Sequence, residues 1–432
     1  MPPCGPTCCT EQDAVLSQAH AHWQRTLWAS WAAQLLSITA FSLVLPFMPF
    51  YIRSLGVRGE AAVSLWSGIT VTASGLMLAI FSPVWGTLAD RYGRKIMVER
   101  AMFGGAIILL IMGSVHNVYE LLLLRGLQGV FTGTITASNT LVSSVVPRDK
   151  MAFSLGLMYT AVLTGNCVGP WVGGMIADHW GYRTPFYFAS ALLLAGGLVA
   201  FFLVRENFVP LPPGQPRRTG LRKTFGVKGL VALLGVFFFM SFSTSFVGPI
   251  FPLFVEKLAV GLPAATISGM LMGLTGVAAG ISAIIVGRIS DRIGHRRLLV
   301  ASTLASGLLA IPQAAVTNLG QLFALRVLGG LATGGTTPTM NAVVGSSVPP
   351  EITGRAYGFC ASANSFGFAL GPLAGATLSA HLGLRWPFAV MGMLLIVCAG
   401  MVYLFLRPKP YVPPQVPDST STDASAGLAG GD

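Results

Sequence analysis

Charged side chains are scarce in this sequence of 432 residues: only 10% are Asp, Glu, Lys or Arg, and only 15 are acidic. Soluble domains carry about 25% charged residues, so the composition argues against an ordinary soluble protein. The sequence also lacks a P-loop, an HExxH, a G-x-S-x-G and a Rossmann fingerprint. We therefore expect no enzyme and no cofactor.

Cysteine is rare as well, with 6 residues in the chain. Cys4, Cys8 and Cys9 cluster near the N-terminus without a histidine pattern beside them, which supports a metal site only weakly. We expect an incidental cluster in a polar tail, with lipidation or metal binding as open alternatives. The other cysteines lie in apolar segments, where a thiol serves as a small packing group. We predict no metal site.

Apolar residues are abundant instead: 53% of the chain is hydrophobic, with 52 glycines and a mean hydropathy of +0.69. A helix of about 20 apolar residues crosses a bilayer. Buried helices of a large soluble protein are shorter and keep a polar face, which disfavours that alternative. We predict an all-α integral membrane protein with twelve transmembrane helices, over residues 27–52, 63–87, 96–115, 120–146, 151–177, 184–204, 229–254, 265–287, 298–316, 320–348, 354–380 and 385–406.

The net charge of +12 could indicate a nucleic-acid partner, so its distribution matters. When the loop at 86–95 is placed in the cytoplasm, most Lys and Arg residues between the spans fall on that side. This is the positive-inside pattern of a multi-pass protein of the inner (plasma) membrane, with both termini cytoplasmic. The first apolar run is long enough to remain as a span. We expect contact with membrane lipid and no nucleic acid.

The two halves of the chain repeat each other. The stretch GTLADRYGRK at 86–95 returns as GRISDRIGHR at 287–296, and the same register pairs Arg125 with Arg326. We predict two pseudo-symmetric six-helix bundles, at 27–204 and 229–406. Parallel halves around a central site are typical of transporters. The remaining segments are a tail at 1–26, a central loop at 205–228 and a disordered tail at 407–432, all cytoplasmic.

Three motifs resemble those of a known family. GTLADRYGRK matches the G-x-x-x-D-R-x-G-R-[RK] loop signature of the major facilitator superfamily, and RGLQG at 125–129 resembles its helix 4 motif. GNCVGPWVGG at 165–174 matches G-x-x-x-G-P-x-x-G-G, the helix 5 motif of the drug–proton antiporters. The resemblance covers residues 25–407 and implies the major facilitator fold, in a monomer like the twelve-helix multidrug efflux pumps of bacterial inner membranes.

The resemblance further implies export of small amphipathic compounds or drugs in exchange for protons, by alternating access. Uptake of a small metabolite by a symporter or facilitator is the first alternative. A membrane sensor or scaffold is the second, which the repeated loop signature disfavours, because a rigid protein needs no repeated latch.

The loop signature supplies the first candidate site. In the family this loop latches the two halves in one conformation and releases them in the other. The resemblance therefore assigns a gating role to residues Gly86, Asp90, Arg91, Gly93, Arg94, Asp291 and Arg292. The alternative is a basic loop that only fixes the orientation of the chain.

Arg125 is the second candidate, because an ionisable side chain within a span is usually functional. Gln128, Thr132 and Asn139 follow on the same face of a continuous helix, so we expect a polar stripe for substrate or proton coupling. Arg326 is its partner in the repeat. The alternative is a structural arginine bound by carbonyl groups of a neighbouring helix.

The helix 5 motif is the third candidate. Its glycines permit close helix packing, and its proline removes a backbone donor. We expect the motif to form a tight seam between the two halves, through residues Gly165, Gly169, Pro170, Gly173 and Gly174.

The predicted cavity lies between helices 1, 4, 7 and 10. The segments 41–51 and 237–252 are rich in Phe, Met, Ser and Thr, and they either line this cavity or fill the core. We see no carboxylate buried in a span that would carry the proton. Asp90 could combine the gating and proton-accepting roles.

Overall fold

The computed structural model describes residues 6–206, 230–347 and 353–405, which form twelve consecutive helical passes. The first six are Pro6–Leu43 continued by Met48–Ser54, Glu60–Tyr92, Arg94–Met112, Val118–Phe131 continued by Thr134–Val145, Met151–Trp180 and Thr184–Leu203. The second six are Leu230–Ser245 continued by Phe251–Leu258, Ala264–Ile293, His295–Ala310, Leu319–Thr333 continued by Thr336–Ser347, Thr353–Leu382 and Trp386–Phe405. We number the passes helices 1 to 12.

The predicted twelve-helix fold is confirmed. By length and composition alone, 8 of the described helices could cross a membrane. The other passes are helices 3, 4, 10 and 11. Helix 3 begins with several charged residues, and helix 11 is rich in Gly, Ala and Ser. Helices 4 and 10 are each divided into two short segments.

Helix 1 begins at Pro6, well before the predicted start of the span at residue 27. The part of the predicted tail that carries Cys8 and Cys9 is therefore helical, whereas Cys4 lies outside the described residues. The predicted central loop beyond residue 206 and the predicted tail at 407–432 also lie outside them.

Prolines interrupt helices 1 and 7 at the same place in the repeat. Short 3₁₀ turns, Leu45–Phe47 and Gly248–Ile250, separate the segments of each helix, because proline cannot donate the backbone hydrogen bond that continues an α-helix. Beyond each break the aromatic side chains are buried: Tyr51 packs 4.8 Å from Phe186, between ring centres. These aromatics of helix 1 therefore fill the core.

The turn between helices 2 and 3 is repeated between helices 8 and 9. Gly93 and Gly294 end helices 2 and 8 with φ angles of 100° and 94°. Glycine adopts such positive φ angles without steric cost. The two copies of the loop signature thus form the same tight turn.

The two halves meet along helices 5 and 8 and along helices 2 and 11. A methyl group added at Gly269 of helix 8 would lie 2.0 Å from the Pro170 carbonyl oxygen of helix 5. A methyl group added at Gly273 would lie 2.5 Å from the nearest atom of helix 5, and one added at Gly280 would lie 3.9 Å from it. A methyl group added at Gly287 would have no atom within 4 Å. Helices 5 and 8 therefore diverge towards the predicted cytoplasmic side.

Helices 2 and 11 diverge in the same direction. A methyl group at Gly68 would lie 2.4 Å from the Cβ atom of Ala376, and one at Gly75 would lie 3.0 Å from Ala369. At Gly86, close to the predicted cytoplasmic end, nothing lies within 4 Å. The halves are thus packed together on the predicted outer side and separated on the predicted cytoplasmic side.

Candidate functional site

Arg125 is buried in the first segment of helix 4, with 6% of its surface exposed. Its Nη1 atom donates a hydrogen bond to Oε1 of Gln128 over 3.0 Å. Its Nε and Nη2 atoms have no partner in the described part of the chain. The alternative of a structural arginine bound by neighbouring carbonyls is therefore wrong for this conformation. An incompletely paired guanidinium in a membrane bundle is costly, which points to a functional role.

Helix 4 does not carry a continuous polar stripe. It stops at Phe131 and resumes at Thr134, because Thr132 is extended and Gly133 has a φ angle of 123°. Thr132 is half-buried, and its hydroxyl donates to the Gln128 carbonyl oxygen. The break rotates the second segment, so that its buried polar residues are Thr134 and Ser138. The predicted position of Asn139 on this face is wrong, and Asn139 is half-buried.

Arg326, the repeat partner of Arg125, is stabilised differently. Its guanidinium carbon lies 3.8 Å from the centre of the Phe251 ring and 5.8 Å from that of Phe388. The repeat explains the difference: Gly329 occupies the position of Gln128, and Phe251 occupies the position of Met48. A cation–π contact therefore replaces the hydrogen bond of the first half.

A cavity of about 300 Å³ lies between helix 5 and the helices of the second half. Helices 7, 8, 10 and 11 of the second half line it together with helix 5 of the first half, through residues that include Tyr159, Ser241, Thr244, Thr337, Met340 and Asn364. Helices 7 and 10 line this cavity, as predicted, and its described lining contains no residue of helices 1 and 4. The segment 237–252 contributes its Met, Ser and Thr side chains to the lining.

The described contacts of the first gating loop lie within its own half. Arg91 lies over its neighbour Tyr92, with its guanidinium carbon 5.3 Å from the ring centre. Nothing lies near Gly86, and the side chains of Asp90 and Asp291 lie outside the described residues. The helices beside the loop are separated from the opposite half on this side.

Sequence reasoning missed a carboxylate that holds the turn before helix 3. Glu206, after helix 6, accepts hydrogen bonds from the backbone N–H groups of Arg94 and Lys95 over 3.1 and 2.7 Å. A carboxylate is favourable at a helix N-terminus. An acid after helix 6 was visible in the sequence, but its proximity to helix 3 was not.

A largely buried carboxylate does lie within a predicted span, contrary to the prediction. Glu99 lies in the second turn of helix 3, with 17% of its side chain exposed and its Oε1 atom 3.6 Å from Nζ of Lys95. By contrast, Glu120 caps the start of helix 4 through Asn117, as its position at a helix end predicts.

Polar contacts join the two halves at the predicted outer rim. Arg53 of helix 1 forms a bidentate ion pair with Glu256 of helix 7, over 2.8 and 2.9 Å. Glu60 of helix 2 pairs with Lys257 of helix 7 over 2.8 Å. Asp178 of helix 5 accepts hydrogen bonds from the backbone N–H and the hydroxyl of Thr266. We call this set the outer rim contacts.

The helix 5 glycines form a seam mainly within the first half. Methyl groups added at Gly165, Gly169 and Gly173 would all collide with helix 1, and only Gly174 faces the second half, against Ala265. The predicted inter-half seam is thus correct for Gly174 and for Pro170, whose carbonyl contacts helix 8, and wrong for the others. The Ser42 hydroxyl donates to the Gly165 carbonyl oxygen within the seam, over 2.8 Å.

Replacement of Gly173 by alanine should destabilise the protein by about 1–3 kcal/mol, because the new methyl group would lie 1.9 Å from the Leu43 carbonyl oxygen. Thermal unfolding of the purified variant checks this. Gly156→Ala is the matched control on the same helix, because nothing lies within 4 Å of its added methyl group. Equal melting temperatures for the two variants would contradict the close packing of helix 5 against helix 1 at Gly173.

A family model described as Major Facilitator Superfamily matches residues 30–278 and, in a second match, residues 233–427. Multidrug resistance protein MdtG of Klebsiella pneumoniae (strain 342) is 37% identical over 407 residues, which cover 93% of this chain and 98% of that protein. MdtG of Salmonella typhimurium (strain LT2) is 37% identical over 377 residues, covering 87% of this chain and 93% of that protein.

Solved transporters share the fold. A bacterial homologue of the human lysosomal transporter Spinster, in an inward-facing and occupied conformation, superposes with a TM-score of 0.76 and 16% sequence identity, over 90% of this chain and 99% of that one. A D-xylose–proton symporter superposes with a TM-score of 0.71 and 15% identity, over 89% and 98% of the two chains.

Proposed function

Because this chain belongs to the major facilitator superfamily, we propose that it is a secondary active transporter that exports small amphipathic compounds, including drugs, in exchange for protons. One observation carries the proposal: the halves are closed at the outer rim and diverge towards the other side, with a cavity between helix 5 and the helices of the second half. The extended similarity to MdtG multidrug resistance proteins supports export of drugs. The chain acts as a monomer, with both termini in the cytoplasm.

In this mechanism the present conformation receives its substrate from the cytoplasm. Rocking of the two halves then breaks the outer rim contacts and brings the cytoplasmic ends of helices 2, 5, 8 and 11 together. The loop residues Asp90, Arg91 and Arg94, with Asp291 and Arg292 of the second copy, latch that closed side. Gly86 and Gly93 permit the close approach, and Arg125 with Gln128 organises the polarity of the first half.

Proton coupling uses carboxylates near the cytoplasmic side, where protons enter or leave. Asp90 belongs to the latch itself, and Glu99 lies nearby in helix 3 beside Lys95. Protonation of a latch carboxylate weakens its charge interactions, so that the proton gradient can bias which side is open.

Everted membrane vesicles test the direction of transport. Vesicles from cells that express the chain should accumulate amphipathic drugs when respiration is active, and a protonophore should abolish this accumulation. Vesicles from cells that carry the empty vector are the control. Depletion of the drug from everted vesicles, or accumulation that a protonophore does not change, would contradict proton-driven export.

Charge reversal should test the outer rim. Exposed ion pairs are worth about 0.2–1 kcal/mol, so Arg53→Glu should slow transport only by about two- to fivefold, by favouring the outward-open state. The double variant Arg53→Glu/Glu256→Arg should restore the rate, because it recreates the pair. Drug uptake into vesicles measures this, and Arg58→Glu, at an exposed residue of the loop that follows helix 1, is the matched control. If the double variant does not recover the transport rate, the ion pair between Arg53 and Glu256 has no role in transport.

A further inference from the structure

We propose that Trp85 is a positioning residue for transport, which ties the gating loop at 86–95 to the interrupted helix 4. The inference rests on the proposed function, because it concerns how that transporter changes conformation. It depends on two contacts of one indole group. Its N–H donates a hydrogen bond to the Val130 carbonyl oxygen of helix 4, and its ring forms a cation–π contact with Arg100 of helix 3.

The hydrogen bond follows from the break in helix 4. The Val130 carbonyl oxygen lies in the last turn before the break, where a continuous helix would bring the N–H group of Thr134 to it. Thr132 is extended and Gly133 has a φ angle of 123°, so this backbone bond is not formed among the described residues. The Nε1 atom of Trp85 donates to the oxygen instead, over 2.7 Å. Because the bilayer core offers no water, the side chain supplies a hydrogen bond that helix 4 needs.

The cation–π contact involves a charge inside a predicted span. Arg100 lies in the second turn of helix 3, and its guanidinium carbon is 3.6 Å from the centre of the Trp85 ring. Its Nε and Nη1 atoms are buried and have no hydrogen-bond partner within the described ranges. The neighbouring acid, Glu99, lies beside Lys95 instead, over 3.6 Å. Tryptophan gives the strongest cation–π contact of the aromatic side chains, so the indole ring stabilises this charge.

The two contacts together close across the gating loop. Trp85 directly precedes Gly86, the first residue of the loop signature, and Arg100 follows the loop in the next helix. The ring contact therefore joins the helices on either side of the loop, and the indole N–H fixes the joined pair to helix 4. We call Trp85, Arg100 and the Val130 carbonyl group the indole node. Neither side chain of the node is among the described residues that line the cavity, so the node acts on conformation.

Phe131 packs against the node at the end of the first segment of helix 4. The centre of its ring lies 6.5 Å from that of Trp85. A methyl group added at Gly104 of helix 3 would lie 2.5 Å from Cδ1 of Phe131, so the ring also fits closely against helix 3. Arg125 belongs to the same helical segment as Val130 and Phe131. A movement of the gating loop would therefore displace the segment that carries Arg125.

The second half provides an internal comparison. All three positions of the node differ there, and in the register of the repeat they are Val286, Ala301 and Leu331. The Leu331 carbonyl oxygen accepts a hydrogen bond from the hydroxyl of Ser282 in helix 8, the repeat partner of helix 2. Both halves thus satisfy the carbonyl beside the break from the same helix. The half with the complete loop signature uses an indole for this purpose and places an arginine on its ring, which indicates that the two side chains act together.

Hydrogen–deuterium exchange of the full-length protein in nanodiscs tests the node without transport. Arg100→Gln removes the cation–π contact, and the described link of Arg100 to helix 4 runs through Trp85. The variant should raise exchange at least about threefold in the loop at 86–95 and also at the break at 132–135, because both segments open more often. Arg25→Gln, at an exposed residue of helix 1, is the matched control and should exchange like the parent. Unchanged exchange at the break in Arg100→Gln would overturn the proposal.

Transport kinetics of a conservative variant separate positioning from substrate binding. Trp85→Phe keeps an aromatic ring and removes the N–H donor, so kcat per folded transporter in everted vesicles should fall about fivefold, as expected for one hydrogen bond. KM should stay within about twofold, because Trp85 does not line the described cavity. Trp66→Phe is the matched control on helix 2, since the described contact of Trp66 is with the ring of Tyr119. Unchanged kcat in Trp85→Phe, or a raised KM with unchanged kcat, would overturn the proposal.

A double variant tests whether the two contacts act as one unit. Trp85→Leu/Arg100→Gln should have a kcat within about twofold of the slower single variant, because either substitution already separates the helices that the node joins. Thermal unfolding of each variant corrects kcat for the amount of folded protein. Losses of kcat that multiply in the double variant would show that the two side chains act independently and would overturn the proposal.

Exchange is measured without transport, so the two proposals can fail separately. A parent protein that exports no drug would contradict the proposed function, while a joint rise in exchange at the loop and at the break in Arg100→Gln would still support the node. A parent that exports drugs, together with an Arg100→Gln variant whose break exchanges like that of the parent, would contradict the node alone.

Discussion

Arg125→Ala should abolish drug transport while the protein remains folded and inserted in the membrane. The guanidinium has one hydrogen bond, to Gln128, and two unpaired nitrogen atoms, so that its removal breaks only one described hydrogen bond. A charge at the centre of a membrane helix costs about 2.5–3.5 kcal/mol on insertion scales. The variant should therefore be at least as stable as the parent, with transport reduced to the level of membranes that lack the protein.

Drug accumulation in everted vesicles and thermal unfolding of the purified variant measure the two effects. Gln128→Leu is the informative control, since it removes the described hydrogen-bond partner and keeps the positive charge. We expect it to retain part of the activity. Normal transport by Arg125→Ala would show that the arginine is structural, and a large loss of stability would point the same way.

Gly269→Ala should prevent closure of the outer side and reduce transport at least about tenfold. The added methyl group would lie 2.0 Å from the Pro170 carbonyl oxygen, which belongs to the backbone of a helix and cannot move aside easily. The conformation with a closed outer side would be disfavoured by about 1–3 kcal/mol, the usual cost of overpacking. The outward-open state does not require this contact.

Labelling of a cysteine at position 266, in a chain without its other cysteines, reports whether the outer side is open. Gly269→Ala should increase the labelling rate from outside. Gly280→Ala is the matched control on helix 8, because its nearest neighbour would be 3.9 Å away. Transport and labelling like those of the parent in Gly269→Ala would show that helices 5 and 8 do not need to close here.

Hydrophobic runs and the internal repeat were sufficient to predict the architecture. A membrane helix must satisfy its backbone internally, so twelve apolar segments leave few alternatives to twelve helices. The repeat of the loop signature placed both copies on one side and predicted two parallel bundles. The structure adds that both copies form the same turn, at Gly93 and Gly294.

The interruptions in helices 4 and 10 were not predicted, and the errors about the site follow from them. A continuous helix would place Asn139 with Arg125, but the extended Thr132 and the positive φ angle of Gly133 rotate the second segment. Glycine is common in membrane helices, so the local sequence gives no clear signal of a break.

Contacts between distant segments also could not be predicted from the sequence. The cavity combines Tyr159 of the first half with Ser241 and Asn364 of the second, and the outer rim joins Arg53 to Glu256. Periodicity indicates which face of a helix is apolar, but it does not identify the helix that covers that face. The glycines of helix 5 illustrate this limit, because close packing was predicted, but the predicted partner was the opposite half and three of the glycines pack against helix 1.

Proton flux in proteoliposomes tests the central claim most directly. Purified protein is reconstituted under an imposed pH gradient, a pH-sensitive dye is enclosed in the lumen, and drugs that the vesicles accumulate are added one at a time. The account predicts proton movement that begins when a drug is added, that requires the protein and that Arg125→Ala abolishes. Drug movement by counterflow with no proton flux would contradict it and would identify a facilitator.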